Sequence, residues 1–282
     1  MVQVSRWIVS AAVVLAAAAG VARADLVTDP SLIKWSQLPD LTSTGFDYSS
    51  ETPLPGTVNL ASRVADDFVC TDPRAVTLVH WWGSYWQPPY VNTFSNYWND
   101  PSFPGPNQAP VMPAVLAGFT VKFYSAVPIG ADPTMPYGHP GAELYSQIIP
   151  MANVTTNLTG IINRTGDAVV GNMGDEAVWQ YLAVLPTTFD QTQGTTYWIS
   201  IQALRLDGST IQWGWHNAAG LVGNNAVQGG PASLWGSSYN TAWQLLPDRD
   251  MAYELQVPEP FTTGLLGVGL GMLLVRSRRT KR

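Results

Sequence analysis

The chain has little charge and almost no cysteine. Charged residues make up 12% of its 282 residues and hydrophobic residues 46%, whereas soluble domains average about 25% charged residues. Intrinsic disorder needs the opposite balance, with low hydrophobicity and high net charge, so it is excluded. Cys70 is the only cysteine, which excludes a small disulfide-held scaffold and predicts a small buried apolar side chain.

Basic residues are scarce in the middle of the chain. Residues 1–24 and 261–282 hold seven of the 14 Lys and Arg residues and none of the 20 acidic residues, so the remainder carries a formal charge of −13. Phosphate contacts need clustered Lys and Arg, and this charge therefore argues against nucleic acid and anionic lipid as partners. It suits a solvated extracellular surface, or one that attracts Ca²⁺.

The N-terminus has the pattern of a secretory signal peptide. Arg6 precedes an apolar run over 7–21 that is rich in Ala and Val, and residues 22–24 match the small-residue cleavage pattern A-x-A. We therefore predict that residues 1–24 form a signal helix and that the mature chain begins near Asp25. An uncleaved membrane anchor is the alternative.

The C-terminus has three parts in a fixed order. A Pro-Glu-Pro motif comes first, the uncharged segment 261–275 follows, and five of the last seven residues are basic. The motif and the arginines that define this tail are Pro258, Glu259, Pro260, Arg276, Arg278 and Arg279. Fifteen residues are short for a membrane span, which needs about 20, and basic residues stay on the cytoplasmic side. We therefore predict a short transmembrane helix over 261–275 that holds the body outside the membrane.

This tail, residues 258–282, resembles the PEP-CTERM sorting signal of exported bacterial proteins. In that family an exosortase, a membrane-embedded enzyme, recognises the tail and is thought to cleave it near the Pro-Glu-Pro motif. The resemblance implies an exosortase as processing partner. It also implies C-terminal membrane attachment before processing, and a position at the cell surface or outside the cell afterwards. An ordinary tail anchor is the alternative.

The body, residues 25–257, is predicted to be all-β. Apolar and polar residues alternate with period 2 along several segments, and turn residues lie between them. The clearest of these segments are 76–83, 119–124, 197–204, 211–216 and 251–257. Short alternating strands with frequent Gly and Pro indicate an antiparallel β-sandwich, jelly-roll-like, with 87–113 as a long aromatic and Pro-rich loop.

Several blocks of the body resemble a β-domain of unknown function that often accompanies this sorting tail. The blocks include 65–70, 80–86, 197–203 and 251–255. No activity is assigned to that type of domain, so the likeness supports a fold and not a reaction.

Candidate metal ligands are few, and no cofactor is predicted beyond a weak Ca²⁺ candidate. Asp66 and Asp67 could contribute to such a Ca²⁺ site, but neighbouring strand residues point to opposite faces, which favours a turn or cap role. The acidic pairs at 175–176 and 248/250 are interpreted in the same way. His80, His139 and His216 lie too far apart for the short ligand spacing of a zinc site, so they are interpreted as structural.

No motif for nucleophilic catalysis or nucleotide binding is recognisable. The G-x-S-x-G elbow is missing, and no Gly-rich phosphate loop follows a strand. A glycoside hydrolase needs two carboxylates about 5 Å or 6.5–9.5 Å apart, and the 20 acidic residues cannot be paired from sequence. The chain is therefore predicted to be non-enzymatic, with a secreted glycoside hydrolase as an alternative.

Tryptophan is the most suggestive residue type, with 12 in the chain. Aromatic rings beside Asn, Gln and Asp can bind sugars, and Trp86, Tyr97 and Trp98 are candidates for such glycan contact. Three other tryptophans are predicted to lie in the core: Trp82, Trp198 and Trp213. The leading hypothesis is an exported cell-surface or extracellular-matrix protein, with exopolysaccharide as candidate partner. A lectin-like glycan-binding module is the first alternative.

Overall fold

The protein is described by a computed structural model over residues 30–52, 62–86, 100–103, 108–163, 175–206, 211–229 and 243–258. In chain order its strands are β1 Ile33–Gln37, β2 Asp47–Ser49, β3 Arg63–Val69, β4 Val76–Trp86, β5 Leu116–Val127, β6 His139–Pro150, β7 Val154–Asn163, β8 Asp175–Phe189, β9 Thr196–Arg205, β10 Gln212–His216, β11 Val227–Gly229, β12 Trp243–Leu245 and β13 Tyr253–Gln256. Single 3₁₀ turns span Pro30–Leu32 and Met151–Asn153.

The all-β prediction is confirmed for this part of the chain, which contains two antiparallel sheets and no α-helix. Within the same ranges no helix is long and apolar enough to span a membrane. The predicted signal helix over 1–24 and the predicted transmembrane helix over 261–275 lie outside the described residues. Residues 100–103 and 108–113 of the predicted loop are described and form no strand.

The larger sheet has seven strands and is centred on β4. One edge of β4 pairs with β8, and the other edge pairs with β13 and then with β10. Beyond these strands lie β7 next to β8, β1 next to β13, and β2 next to β10. The second sheet has six strands in the order β12-β11-β3-β9-β5-β6.

The two sheets pack face to face over an aromatic core. Trp81 of β4 and Trp213 of β10 both contact the ring of Phe119 in β5, with centroids 4.9 and 5.1 Å apart. The alternation predicted over 197–204 corresponds to β9, whose apolar residues at alternate positions lie in this core. All three tryptophans predicted to be buried are buried. However, Trp82 and Trp198 lie on the faces of their sheets that are turned away from this core, each in a separate cluster.

Two polar networks lie inside this core. The Tyr181 hydroxyl donates to the Tyr85 hydroxyl at 3.1 Å and accepts from Trp213 Nε1 at 3.2 Å. Arg205 donates to Glu51 at 3.2 Å, and the second carboxylate oxygen of Glu51 accepts from the Trp213 backbone N–H at 3.1 Å. Burial raises the pKa of Glu51 to about 7, although the Arg205 charge opposes the rise.

Both ends of the described strand set lie at the same end of the larger sheet. Ile33, where β1 begins, pairs with Gln256, where β13 ends. Gln256 also pairs with Leu78 near the start of β4, and β4 continues to Trp86. At about 3.3 Å per residue, Trp86 lies about 26 Å along the strand from Leu78. We call the end of the larger sheet at Trp86 the distal end.

Candidate functional site

The outer face of the larger sheet, which is turned away from the core, carries buried side chains instead of a solvated polar surface. Because side chains alternate along a strand, Trp81 and Tyr85 of β4 enter the core while the even-numbered residues beside them point outward. The outward residues are His80, Trp82, Ser84 and Trp86, and none is more than 9% exposed. This face therefore holds two buried polar groups, one at mid-sheet and one at the distal end.

The mid-sheet group is a closed hydrogen-bond network around His80. His80 Nδ1 lies 2.9 Å from Glu254 Oε2, and His80 Nε2 lies 3.0 Å from Gln180 Oε1. Ser36 donates to the other Glu254 oxygen at 2.8 Å, and the His80 ring packs 4.1 Å from the Trp82 ring. Both ring nitrogens and both carboxylate oxygens have partners, which agrees with the structural interpretation of His80.

The second group, which we call the distal cluster, consists of Asp47, Ser84, Glu176 and His216. His216 Nδ1 lies 2.9 Å from Asp47 Oδ1 and 3.6 Å from Glu176 Oε1. The Ser84 hydroxyl hydrogen-bonds to Asp47 Oδ2 and lies 3.0 Å from Glu176 Oε1. One imidazole and one hydroxyl are thus shared between two carboxylates.

Strand pairing brings the distal cluster together. His216 of β10 pairs with Asp47 of β2, so the two side chains lie side by side on one face. Ser84 pairs with Gly214 of β10, while Glu176 comes from β8 on the opposite edge of β4. A Cβ at Gly214 would lie 2.5 Å from the Trp86 ring and 2.7 Å from Asp47 Cβ, so only glycine allows this close approach.

Charge interactions hold the distal cluster against the cost of burial. Burial by itself would lower the pKa of His216, but attraction to Asp47 and Glu176 raises it to about 9. Burial would likewise raise the pKa of Asp47, but the His216 charge and hydrogen bonds from its neighbours lower it to about 2. His216 Nε2 donates to the Asp40 backbone oxygen at 2.8 Å. His216 is therefore protonated at neutral pH, and a metal ion at Nδ1 would have to displace that proton.

The distal cluster opens into a narrow cleft whose interior volume is about 10 Å³, enough for about one water molecule. The cleft is lined by acidic, aromatic and hydroxyl side chains: Phe46, Asp47, Ser84, Tyr85, Trp86, Asp100, Asp175 and Glu176. Asp100 accepts hydrogen bonds from the backbone N–H groups of Ser102 and Ala177, each at 2.7 Å, and so fixes the start of β8. Burial raises the pKa of Asp100 to about 6.

Of the three residues predicted to contact glycan, Trp86 lines this cleft and is 9% exposed. Tyr97 and Trp98 lie outside the described residues. In the sorting motif, Pro258 is the last described residue and is exposed. The remaining motif residues and arginines also lie outside the described residues: Glu259, Pro260, Arg276, Arg278 and Arg279.

Asp66 and Asp67, the weak Ca²⁺ candidates, hold separate parts of the backbone. Asp66 accepts from the N–H groups of Asp67 and Met251 at 2.9 and 2.7 Å, while Asp67 accepts from the backbone and side-chain nitrogens of Asn224, both at 2.7 Å. With Asp250 they form what we call the acidic trio. Burial raises the pKa of both Asp67 and Asp250 to about 6, and burial with repulsion from Asp250 raises the pKa of Asp66 well above its ordinary value.

No sequence pattern points to the distal cluster. Its one histidine lies far from the other two in the sequence, and the predicted turn or cap role of position 176 differs from the structure, where Glu176 lies within β8. One pattern did place His216 on the outer face: it alternates with Trp213 and Trp215, which enter the core. No pattern indicated that this outer face is itself buried.

Comparison with known protein families shows which family the β-domain of this chain belongs to. A family model described as a domain of unknown function, DUF7901, matches residues 33–261. No curated protein and no solved structure matches the chain. The matched range starts at the first residue of β1 and extends beyond the end of β13, so it contains every described strand. The chain therefore belongs to the DUF7901 family.

Proposed function

We propose that this is an exported, non-enzymatic cell-surface or extracellular-matrix protein that presents its β-domain outside the membrane, with exopolysaccharide as its candidate partner. The observation that carries the proposal is that the first and last described strands meet at one end of the larger sheet, where Ile33 and Gln256 lie side by side. A C-terminal anchor would hold the domain by this end. The distal cluster, about 26 Å further along β4, would then face away from the membrane.

The two ends of the chain support the same proposal. Residues 1–24 have the pattern of a cleaved signal peptide, and 258–282 resemble the PEP-CTERM tail that an exosortase processes. The family match ends at residue 261, so the segment 262–282 is separate from the domain that the family describes. A folded domain followed by a separate C-terminal segment is the organisation expected for a protein with a cleavable sorting signal.

The test is mass spectrometry of both mature termini after expression in a bacterial host with and without an exosortase. We expect the chain to begin near Asp25 in both hosts and to lose Arg282 only where the exosortase is present. A variant with Pro258, Glu259 and Pro260 replaced by alanine is the matched control and should keep Arg282. An intact Arg282 in the wild-type chain beside an active exosortase would overturn the sorting proposal.

A glycan-binding module is the second candidate, and the observation in its favour is Trp86 beside the carboxylates of the distal cleft. A sugar at the mouth of this cleft could contact the aromatic edge while one of its hydroxyls donates to Glu176. Polysaccharide pull-down should show binding by the wild-type chain and reduced binding by Trp86→Ala and Trp98→Ala. Circular dichroism would verify that both variants fold. No binding of the wild-type chain across a broad glycan panel would remove this candidate.

The geometry of the distal cluster supports a non-enzymatic protein over a glycoside hydrolase. Asp47 and Glu176 both contact the Ser84 hydroxyl, and their side chains are only 6% and 12% exposed. Glycosidase carboxylates instead stand on either side of a sugar-sized gap. We expect no release of reducing sugar from a polysaccharide panel. If the wild-type chain released reducing sugar and Glu176→Gln did not, the glycoside hydrolase would become the better candidate.

A further inference from the structure

Three potential metal ligands converge in the distal cluster. One ligand atom from each of Asp47, Glu176 and His216 lies within 4.8 Å of the other two. Zinc bonds of about 2.0–2.2 Å at tetrahedral angles place neighbouring ligand atoms about 3.3 Å apart. The distances from His216 Nδ1 to the two carboxylate oxygens, 2.9 and 3.6 Å, lie on either side of that value. A cation would therefore need only small side-chain shifts.

The surroundings of His216 fit a metal ligand. Metal-binding histidines almost always donate their second ring N–H to a carboxylate or backbone carbonyl, which fixes the tautomer. His216 Nε2 does this with the Asp40 carbonyl at 2.8 Å, and Asp40 is not a member of the cluster. The remaining nitrogen, Nδ1, faces Asp47 and Glu176.

Ser84 and the cleft complete the arrangement. The Ser84 hydroxyl bonds to the Asp47 oxygen that is turned away from His216, and it also contacts Glu176. Such outer contacts orient metal-binding carboxylates. Because Asp47 and Glu176 also line the cleft, an ion has a route in, and a fourth ligand could enter from the same side.

Charge and donor type select the class of metal. Once the metal has displaced the proton from His216 Nδ1, two carboxylates and a neutral imidazole together carry a charge of −2, which a divalent cation neutralises in this buried position. Ca²⁺ and Mg²⁺ prefer oxygen ligands, whereas imidazole suits Zn²⁺ and related first-row metals. We propose that Asp47, Glu176 and His216 form a site for Zn²⁺ or a first-row divalent metal of similar chemistry. This inference does not depend on the export proposal.

The test uses the full-length chain without a histidine tag, purified in detergent, stripped with EDTA and titrated with Zn²⁺ against a chromophoric chelator. We expect one tight Zn²⁺ per chain, and at least tenfold weaker binding in Asp47→Asn and Glu176→Gln. Tetrahedral visible absorption with Co²⁺ should appear in the wild-type chain only, and millimolar Ca²⁺ should not displace Zn²⁺.

Glu254→Gln is the matched control, because Glu254 also pairs with a buried histidine on the same face of the sheet but lies outside the distal cluster. It should bind Zn²⁺ like the wild-type chain. If Asp47→Asn fails to fold by circular dichroism, Glu176→Gln carries the test, since Glu176 is the more exposed ligand. The site is refuted by a wild-type chain without stoichiometric Zn²⁺, by a preference for Ca²⁺, or by an equal loss in Glu254→Gln. Such a failure would leave the processing of the termini unaffected.

Discussion

The Tyr181 hydroxyl joins two other buried polar groups, and its removal should destabilise the fold more than the loss of one atom suggests. Tyr181 is fully buried, donates to Tyr85 at 3.1 Å and accepts from Trp213 Nε1 at 3.2 Å. Tyr181→Phe keeps the ring and its stacking on Trp81, where the centroids are 5.6 Å apart. The substitution therefore removes hydrogen bonds while leaving the apolar packing in place.

The expected cost follows from the groups left behind. Each buried polar group that loses its partner costs about 1–3 kcal/mol. Tyr181→Phe leaves two such groups without this partner, the Tyr85 hydroxyl and Trp213 Nε1. We expect the free energy of unfolding to fall by about 2–6 kcal/mol. Tyr145→Phe is the matched control, because the Tyr145 hydroxyl donates to the Thr187 carbonyl at 2.8 Å in an exposed position where water can replace it. Its cost should stay within about 0.5 kcal/mol.

Urea unfolding followed by tryptophan fluorescence measures both variants. The slope of the free energy against urea concentration should stay constant, since neither change alters the surface exposed on unfolding. If Tyr181→Phe unfolds at the same urea concentration as Tyr145→Phe, the predicted cost of losing the buried Tyr181 hydroxyl is refuted. That result would mean that Tyr85 and Trp213 find new partners at no cost.

Three further predictions concern buried charge and close packing. The free energy of unfolding should fall as pH rises from about 4 to about 7, because the acidic trio and Glu51 have raised pKa values and bind protons more tightly when folded. Urea midpoints at pH 5 and pH 8 in EDTA check this, and a flat or rising profile contradicts it. Arg205→Met should cost about 3–5 kcal/mol at pH 8, because buried Glu51 then loses its ion pair and must stay charged or take up a proton, and less at pH 5, where Glu51 is already protonated; an equal loss at both pH values would count against the raised pKa. Gly214→Ala should cost about 1–3 kcal/mol because the new Cβ meets the Trp86 ring. Gly220→Ala is its control, since a Cβ there meets open space, and equal thermal stability of the two variants would refute the predicted clash.

The strands were predictable because alternation is a local property. The segments 119–124 and 197–204 lie on β5 and β9, and 251–257 contains β13; in each segment the apolar residues at alternate positions are turned to the core. Trp82 shows the limit of such reasoning. Its burial was predicted, but alternation places it opposite Trp81, on a face that a two-layer sandwich normally leaves to solvent. There it packs with Ile162, Val178 and Ala252.

The sequence by itself determined the all-β class, the position of the main strands and the aromatic core, because a period of two is set within a few neighbouring residues. Only the tertiary structure decided the distal cluster. Asp47, Glu176 and His216 come from β2, β8 and β10, and they meet because β8 and β10 flank opposite edges of β4 while β2 pairs with β10. Strand order and long-range register bring these residues together, and no local spacing of residues encodes either.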